Sequence, residues 1–430
     1  MKKLFTLGIY FTLLTSVSSF AQTWNTCGSG FDAETYALTV YNNELYATGF
    51  MNLADGDTVN GFVKWDGTSW MAPGGGPETI IESICVYNGE LYAGGNFETL
   101  GGDTIDHIGR WNGTSWDTVG SGIPQWHVLS MCVYNNELYV GGIFQNAGGV
   151  AVSNIAKWKG TNWADVGGGV NSDVMGMAVY NGDLYVGGYF STAGGINAPY
   201  IAKWNGTVWD SCHTSEFNGD VYCLAVYNGK LYAGGDFDFN NDDNYIESYD
   251  GTLWSPLGNG MNSNVNALAV YNGELYAGGD FDDANGVTAN FIARWNGTSF
   301  SSCGDGTNDD VYALAVYNGE LYVGGPFTEA DGSSAPYIAR WSTPAGIEET
   351  ENELSFDVYP NPAESHLTIS SSQLAGATIS ITDILGREII VQISNTQTSN
   401  IDVQSFSTGI YFLKVNSADE NFVVKKFVKE

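Results

Sequence analysis

One ten-residue phrase recurs through most of the chain and leaves it few ways to fold. "VYNGELYAGG" and its near copies begin at Val40, Val86, Val133, Val179, Val226, Val270 and Val316, at intervals of 44 to 47 residues. A fixed period of this length marks a repeat architecture in which each unit buries its apolar face only against its neighbours. Every unit reads as four short strands. Strand A is the apolar "VYALAVY" type, B is "ELYAGGDF", C is "YIARW" and D is "TSW" followed by glycines. Asn-Gly or Asn-Asn joins A to B, and Asp-Gly, Asn-Gly or Lys-Gly joins C to D in six units. Such pairs accept the positive φ angles of a two-residue hairpin.

Four antiparallel strands per period predict an all-β chain whose main body is a seven-bladed β-propeller. The seventh unit supplies A, B and C and stops at Trp341. Its missing strand D is found at the opposite end of the chain, where "TWNTCGSG" (Thr23–Gly30) matches "TSFSSCGDG" (Thr298–Gly306). The N-terminal strand is therefore expected to close the last blade, which leaves no open blade edge to invite association, and a monomer is expected. The Gly-Gly after "LY", the Asp-Gly or Asn-Gly turn after an aromatic, and the Trp of the next strand resemble the kelch-type propeller repeat over residues 23–341. The chain lacks that repeat's Arg and mostly has Trp for its Tyr, although Tyr249-Asp250 keeps the Tyr.

Residues 1–21 combine Lys2-Lys3, an apolar run from Leu4 to Val17, and Ser19-Phe20-Ala21 before Gln22. This predicts a cleaved secretory signal, with no transmembrane segment left after cleavage. Residues 22–341 are then the propeller, 342–353 an acidic linker, and 354–430 a small Ig-like β-sandwich of about seven alternating strands. The tail carries Tyr359-Pro360-Asn361-Pro362, then Asp383 with Gly386-Arg387, Gly409-Ile410-Tyr411, and Lys425-Lys426-Phe427-Val428-Lys429. These motifs resemble the type A C-terminal sorting domain of the type IX secretion system. The resemblance implies the secretion machinery as a partner, passage through the periplasm, and release or attachment at the outer cell surface. A second ligand-binding sandwich is the other reading of the tail.

The net charge of −33 excludes nucleic acid as a partner. Between Gln22 and Gly346 there are eight Lys and Arg against 36 Asp and Glu. Six of the eight precede the strand C aromatic and follow an acid of strand B by 20 residues: Glu44 and Lys64, Glu90 and Arg110, Glu137 and Lys157, Asp183 and Lys203, Glu274 and Arg294, Glu320 and Arg340. Cross-strand ion pairs are expected, with unit five exchanging both halves through Lys230 and Glu247-Ser248. Twelve of the 13 Trp occupy repeat positions and read as filling between blades. The six Cys sit mainly at equivalent positions of different blades, too far apart for disulfides, and read as buried free thiols.

A–B and C–D turns are short, so the long D–A and B–C loops of the other face are where a site belongs. Ahead of strand A the units carry Asp32, Glu78, Gln125, Asn171, Asn218, Asn262 and Asn308, and two residues later Glu34, Ile80, His127, Asp173, Asp220, Asn264 and Asp310. They are either Asx-type turns or a ring of polar ligand-binding groups around a channel mouth. Trp126 is the one Trp out of register and lies beside His127, an arrangement suited to stacking on a sugar or peptide. Calcium has a weak candidate in Asp238–Asn244, which lacks the EF-hand Gly and Glu, and no other cofactor is expected. His107, His127 and His213 fall in three separate units, so no metal cluster is expected, and no catalytic residue is assigned. The function expected is a secreted or surface binding or adhesion module for glycan or protein. The alternative is a glycan-degrading hydrolase or lyase using acids at the mouth.

Overall fold

The computed structural model describes residues 22–212, 217–237, 244–342, 356–371, 374–383, 387–416 and 422–430. The signal segment, His213, the calcium candidate up to Asp243, the linker from Thr343 and Gly386 lie outside them. The described residues form strands and turns without a helix. They fall into two compact units, divided after Pro344.

The first unit holds seven four-stranded antiparallel sheets. In one of them Thr35–Tyr41, Glu44–Gly49, Phe62–Trp65 and Trp70–Met71 run in chain order. Asn42 and Asn43 make the A–B turn with φ of 50° and 64°, the left-handed region that asparagine tolerates best after glycine. Another sheet takes Ala313–Tyr317, Glu320–Gly324 and Ile338–Ser342, and its fourth member is Thr23–Thr26. Trp24 pairs with Trp341 and Asn25 with Arg340. The N-terminal segment therefore completes the sheet begun by the last repeat, and that sheet extends one residue past Trp341.

The sheets close on themselves in a ring. Each strand A packs on the next, and Ala313–Tyr317 returns to Thr35–Tyr41. Three contacts recur at most of the junctions. The Tyr ending strand A donates its hydroxyl to a carbonyl in the next A–B turn, at 3.0 Å for Tyr134 to Gly182 and equally for Tyr317 back to Asn43. The strand D indole donates to the preceding sheet, as in Trp163 to the Val119 carbonyl (3.0 Å) and Trp24 to that of Cys303 (2.7 Å). The first glycine of the repeated pair allows the sheets to approach: a Cβ on Gly94 would sit 2.2 Å from Cγ1 of Val128 in the next sheet.

The repeat aromatics fill the space between these elements. Trp65 and Trp70 lie 5.1 Å apart, Trp158 and Trp163 5.3 Å, and Trp24 and Trp341 5.3 Å, all tilted. Cys27, Cys212 and Cys303 are buried thiols, and Cys85, Cys132 and Cys223 are partly covered rather than fully buried.

Two details of the expected ion pairs change. Lys64 stands opposite Tyr46, so Glu44 reaches it diagonally, at 2.8 Å. The same geometry gives 3.4 Å for Arg110–Glu90, 2.7 Å for Lys157–Glu137, 2.9 Å for Arg294–Glu274 and 2.8 Å for Arg340–Glu320. Lys203 is 3.9 Å from Asp183 and closer, at 3.4 Å, to Asp210. Unit five is not an exchanged pair. Ser248 holds the base position and donates to the Ser255 carbonyl, while Glu247 occupies the alanine position and is fully buried. Neighbouring strand residues face opposite sides, which separates Glu247 from exposed Lys230.

The second unit has one sheet of Asp357–Tyr359, His366–Ser370 and Thr398–Asp402. The other contains Glu388–Ile393, Thr378–Asp383, Gly409–Asn416 and Phe422–Lys429. Leu367, Ile369 and Ile401 of the first share a core with Ile379, Ile381, Leu413 and Phe427 of the second. The motif residues at its two ends meet. Asn361 accepts from the Val428 amide (2.9 Å), its own amide reaches the Lys426 carbonyl (3.3 Å), and Lys425 bonds the Phe356 carbonyl.

Candidate ligand site at the ring axis

The A–B pairing slips near the start of strand A in six sheets, between Thr35 and Ala37 in the sheet at the chain start and at the equivalent place in the others. A bulge adds one residue to a strand and re-aims its side chain. The bulged residues are Tyr36, Glu82, Leu129, Met175, Tyr222 and Asn266, and Tyr312 takes the same repeat position in the seventh sheet. All seven line one cavity of about 460 Å³, together with Asn264, Asp280 and Asp310. One residue per sheet converges on one space, so the cavity lies on the ring axis. The long D–A loops feed this end of strand A.

Its walls are unlike one another. Tyr36 and Tyr312 lie 5.5 Å apart with planes 31° apart, and Phe50, half exposed at 50%, meets Tyr36 edge-on at 5.4 Å. Tyr189 and Tyr222 form a second aromatic pair at 6.0 Å. Leu129 and Met175 supply an apolar stretch. The remainder is acidic. Burial and the neighbouring Asp280 and Asp309 push Asp310 up to about 6, and burial with Asp236 and Asp173 pushes Asp220 up to about 6. Burial raises Glu82 as well, opposed by His127, whose Nδ1 is 3.2 Å from the Glu82 carboxylate. The Tyr36 hydroxyl donates to Glu34 at 2.7 Å, and Asn264 and Asn266 donate to Asp280 at 3.1 and 2.5 Å.

The residues expected from sequence divide. Asp310 lines the cavity, Asp173 and Asp220 stand in the adjoining carboxylate group, and His127 anchors to Glu82 at its wall. Asn171 and Asn308 have another task. Their side-chain oxygens accept from two successive amides of the following B–C loop, Ser191 and Thr192 at 2.8 and 2.9 Å and Thr328 and Glu329 at the same distances. Asp32, Glu78 and Asn262 do the same. These contacts tie separate loops together rather than forming local Asx turns. Asn218 and Gln125 are exposed at that same repeat position. Trp126 is exposed at 62%, adopts φ of 71°, and is absent from the cavity lining.

The bulge residues themselves were missed. Their signal was present: Tyr, Glu, Leu, Met, Tyr, Asn and Tyr occupy one column of a repeat whose flanking columns stay β-branched before it and small after it. No group of His, Cys, Asp and Glu among the described residues is arranged to hold a metal ion.

Comparison with known proteins finds two family matches. Residues 357–430 match the secretion system C-terminal sorting domain, and residues 272–297 match a β-propeller domain of unknown function, DUF5122. No curated protein matches. Among solved structures, PorZ, a bacterial surface component of the type-IX secretion system of Porphyromonas gingivalis, is 17% identical with a TM-score of 0.48, over 93% of this chain and 60% of that one. The extracellular domain of BT3049 from B. thetaiotaomicron is 10% identical with a TM-score of 0.50, over 95% and 57%. The chain thus spans about 60% of the length of these structures. The likeness to BT3049 bears on fold alone. The main body is a β-propeller, and the sorting tail directs the chain to the outer cell surface or the medium. No helix among the described residues is long and apolar enough to cross a membrane.

Proposed function

We propose that this exported chain is a seven-bladed, kelch-like propeller (residues 22–341) that binds an extracellular glycan or protein through its axial mouth. Residues 1–21 are its signal, 342–353 its linker, and 354–430 an Ig-like sorting sandwich. It acts as a binding or adhesion module, as a monomer. The observation that carries this reading is the set of bulges. Six sheets each break their ladder to aim a side chain at the same cavity, and that side chain varies where the scaffold does not. Exposed aromatics beside carboxylates suit recognition of a partly apolar ligand.

One observation favours a second reading, a glycan-degrading enzyme. Asp220 and Asp310 are pushed to about 6, the range in which a carboxylic acid serves as a proton donor near neutrality. The two readings separate in one experiment. The secreted chain is applied to glycan and peptide arrays beside a Tyr36→Ala/Tyr312→Ala variant, and array hits are incubated in solution and assayed for new reducing ends. Saturable binding lost in the variant, without turnover, is the expected result. New reducing ends abolished by Asp310→Asn would establish the enzyme. Binding that the variant retains would move the site away from the axis.

A further inference from the structure

We infer that the axial mouth receives a basic side chain, a lysine or arginine of an extracellular polypeptide flanked by aliphatic residues. The inference rests on the mouth being a ligand site and names the chemistry that fills it.

The aromatic wall comes first. Tyr36 and Tyr312, with planes 31° apart and Phe50 meeting Tyr36 edge-on, both line the cavity. Aromatic faces attract a cation, and arginine above all stacks on them. Around them stand acceptors in excess of donors. The Asn264 and Asn266 amides are already directed to Asp280, and the Tyr36 hydroxyl to Glu34. The cavity lining contains no lysine or arginine.

The scaffold has no lysine or arginine to lend. Six of the eight basic residues of the propeller are held by acids of strands B and D. Lys159 lies in a C–D turn and Lys230 follows an A–B turn, both at the end of the ring opposite the mouth. Beyond His127, which already faces Glu82 at 3.2 Å, a cation at the mouth must therefore arrive with the ligand. Asp310 and Asp220, raised to about 6 by burial and by neighbouring carboxylates, are the groups that such a cation relieves.

A polypeptide fits better than an amino sugar because of the remaining wall. Leu129 and Met175 offer an apolar surface to the methylene stem of a long basic side chain or to its aliphatic neighbour. The volume, about 460 Å³, holds a side chain with part of its backbone rather than a bare ion.

The test titrates the full secreted chain with an acetylated, amidated pentapeptide carrying arginine between two leucines. Controls are the same peptide with citrulline at the centre and a glucosamine oligomer. Calorimetry at about 50 and about 200 mM salt brackets the screening of the charge contact. The arginine peptide should bind at least about tenfold more tightly than the citrulline peptide and weaken with salt. Asp310→Asn, which removes a repelled carboxylate and so leaves the fold intact, should weaken it by about tenfold, and Asp66→Asn, in a C–D turn at the opposite end of the ring where other units carry Asn, should not. Equal binding of arginine and citrulline peptides, or an unchanged affinity in Asp310→Asn, overturns the inference. Binding of the glucosamine oligomer alone overturns the polypeptide and keeps the mouth as a ligand site. Silence from every probe overturns the basic side chain, and the array experiment then decides the mouth separately.

Discussion

Replacing Trp24 by alanine tests whether the N-terminal strand is a structural member of the ring. Trp24 donates its indole N–H to the Cys303 carbonyl of the preceding sheet at 2.7 Å and packs on Trp341 at 5.3 Å. Truncating a fully buried tryptophan costs about 3–5 kcal/mol. Trp24 is half-buried, which reduces the transfer contribution, while the lost hydrogen bond adds about 1 kcal/mol and the lost ring pair about 0.5–1.5 kcal/mol. These contributions overlap, and a net loss of about 3 kcal/mol is expected. Trp163 provides the internal standard. It occupies the same repeat position within a continuous repeat, is 4% exposed, and donates to Val119 at 3.0 Å, so Trp163→Ala should cost about 4 kcal/mol. For a unit of this size 3 kcal/mol lowers the melting temperature by roughly 4–5 °C. Calorimetric melting of both variants reads this directly. A Trp24→Ala loss below about 1 kcal/mol, with the full loss for Trp163→Ala, would refute closure by the N-terminal strand.

Further expectations follow from the same contacts. Asp220 and Asp310 have folded pKa values of about 6, above the ordinary carboxylate value, so their protonated forms are favoured by folding. The stability they contribute is complete in acid and lost as pH rises through about 6. The melting temperature should therefore fall between about pH 4 and 6, and Asp220→Asn or Asp310→Asn should each flatten that fall. Arg340→Met removes a 2.8 Å pair with Glu320 whose arginine is 30% exposed, and denaturant titration should register less than about 1 kcal/mol. Burial raises the thiol pKa values of Cys27, Cys212 and Cys303, so an aromatic disulfide reagent should leave all three unreacted until the chain is unfolded. Deleting residues 357–430 should hold the chain inside the outer membrane, which cell fractionation would detect.

The fold was legible because its causes are local and repeated. Asn-Gly at the A–B turns fixes the hairpins, and the match of Thr23–Gly30 to Thr298–Gly306 places the closing strand without any long-range information. The ion pairs were legible as a spacing of 20 residues, but not in their register, because a long side chain reaches a diagonal partner as readily as an opposite one. Glu247 was misread for a related reason. One residue of offset moves a side chain to the other face of a strand, and the sequence pair Glu247-Ser248 does not say which member keeps the column.

The site was legible only in part. Asp310 and His127 belong to the mouth, yet Asn171 and Asn308, drawn from the same loops, fasten one loop to another. Both groups are polar residues just ahead of strand A in the sequence, and only the direction and burial of a side chain separate them. The bulges that create the site depend on hydrogen-bond pairing between A and B, which no residue type announces. What the sequence does carry is the contrast between a constant scaffold and a varying column, from Tyr36 through Glu82 and Met175 to Tyr312.

Ligand entry at the loop end of the ring axis is open to direct measurement. Hydrogen exchange of the full secreted chain, with and without the tightest array ligand, tests it most directly. Slowed exchange is expected in segments 34–37, 127–130, 173–176, 220–223 and 310–313, with the A–B and C–D turns unchanged. Protection confined to those turns, around Asn135-Asn136 or Asn205-Gly206, would place the ligand on the opposite face and contradict it.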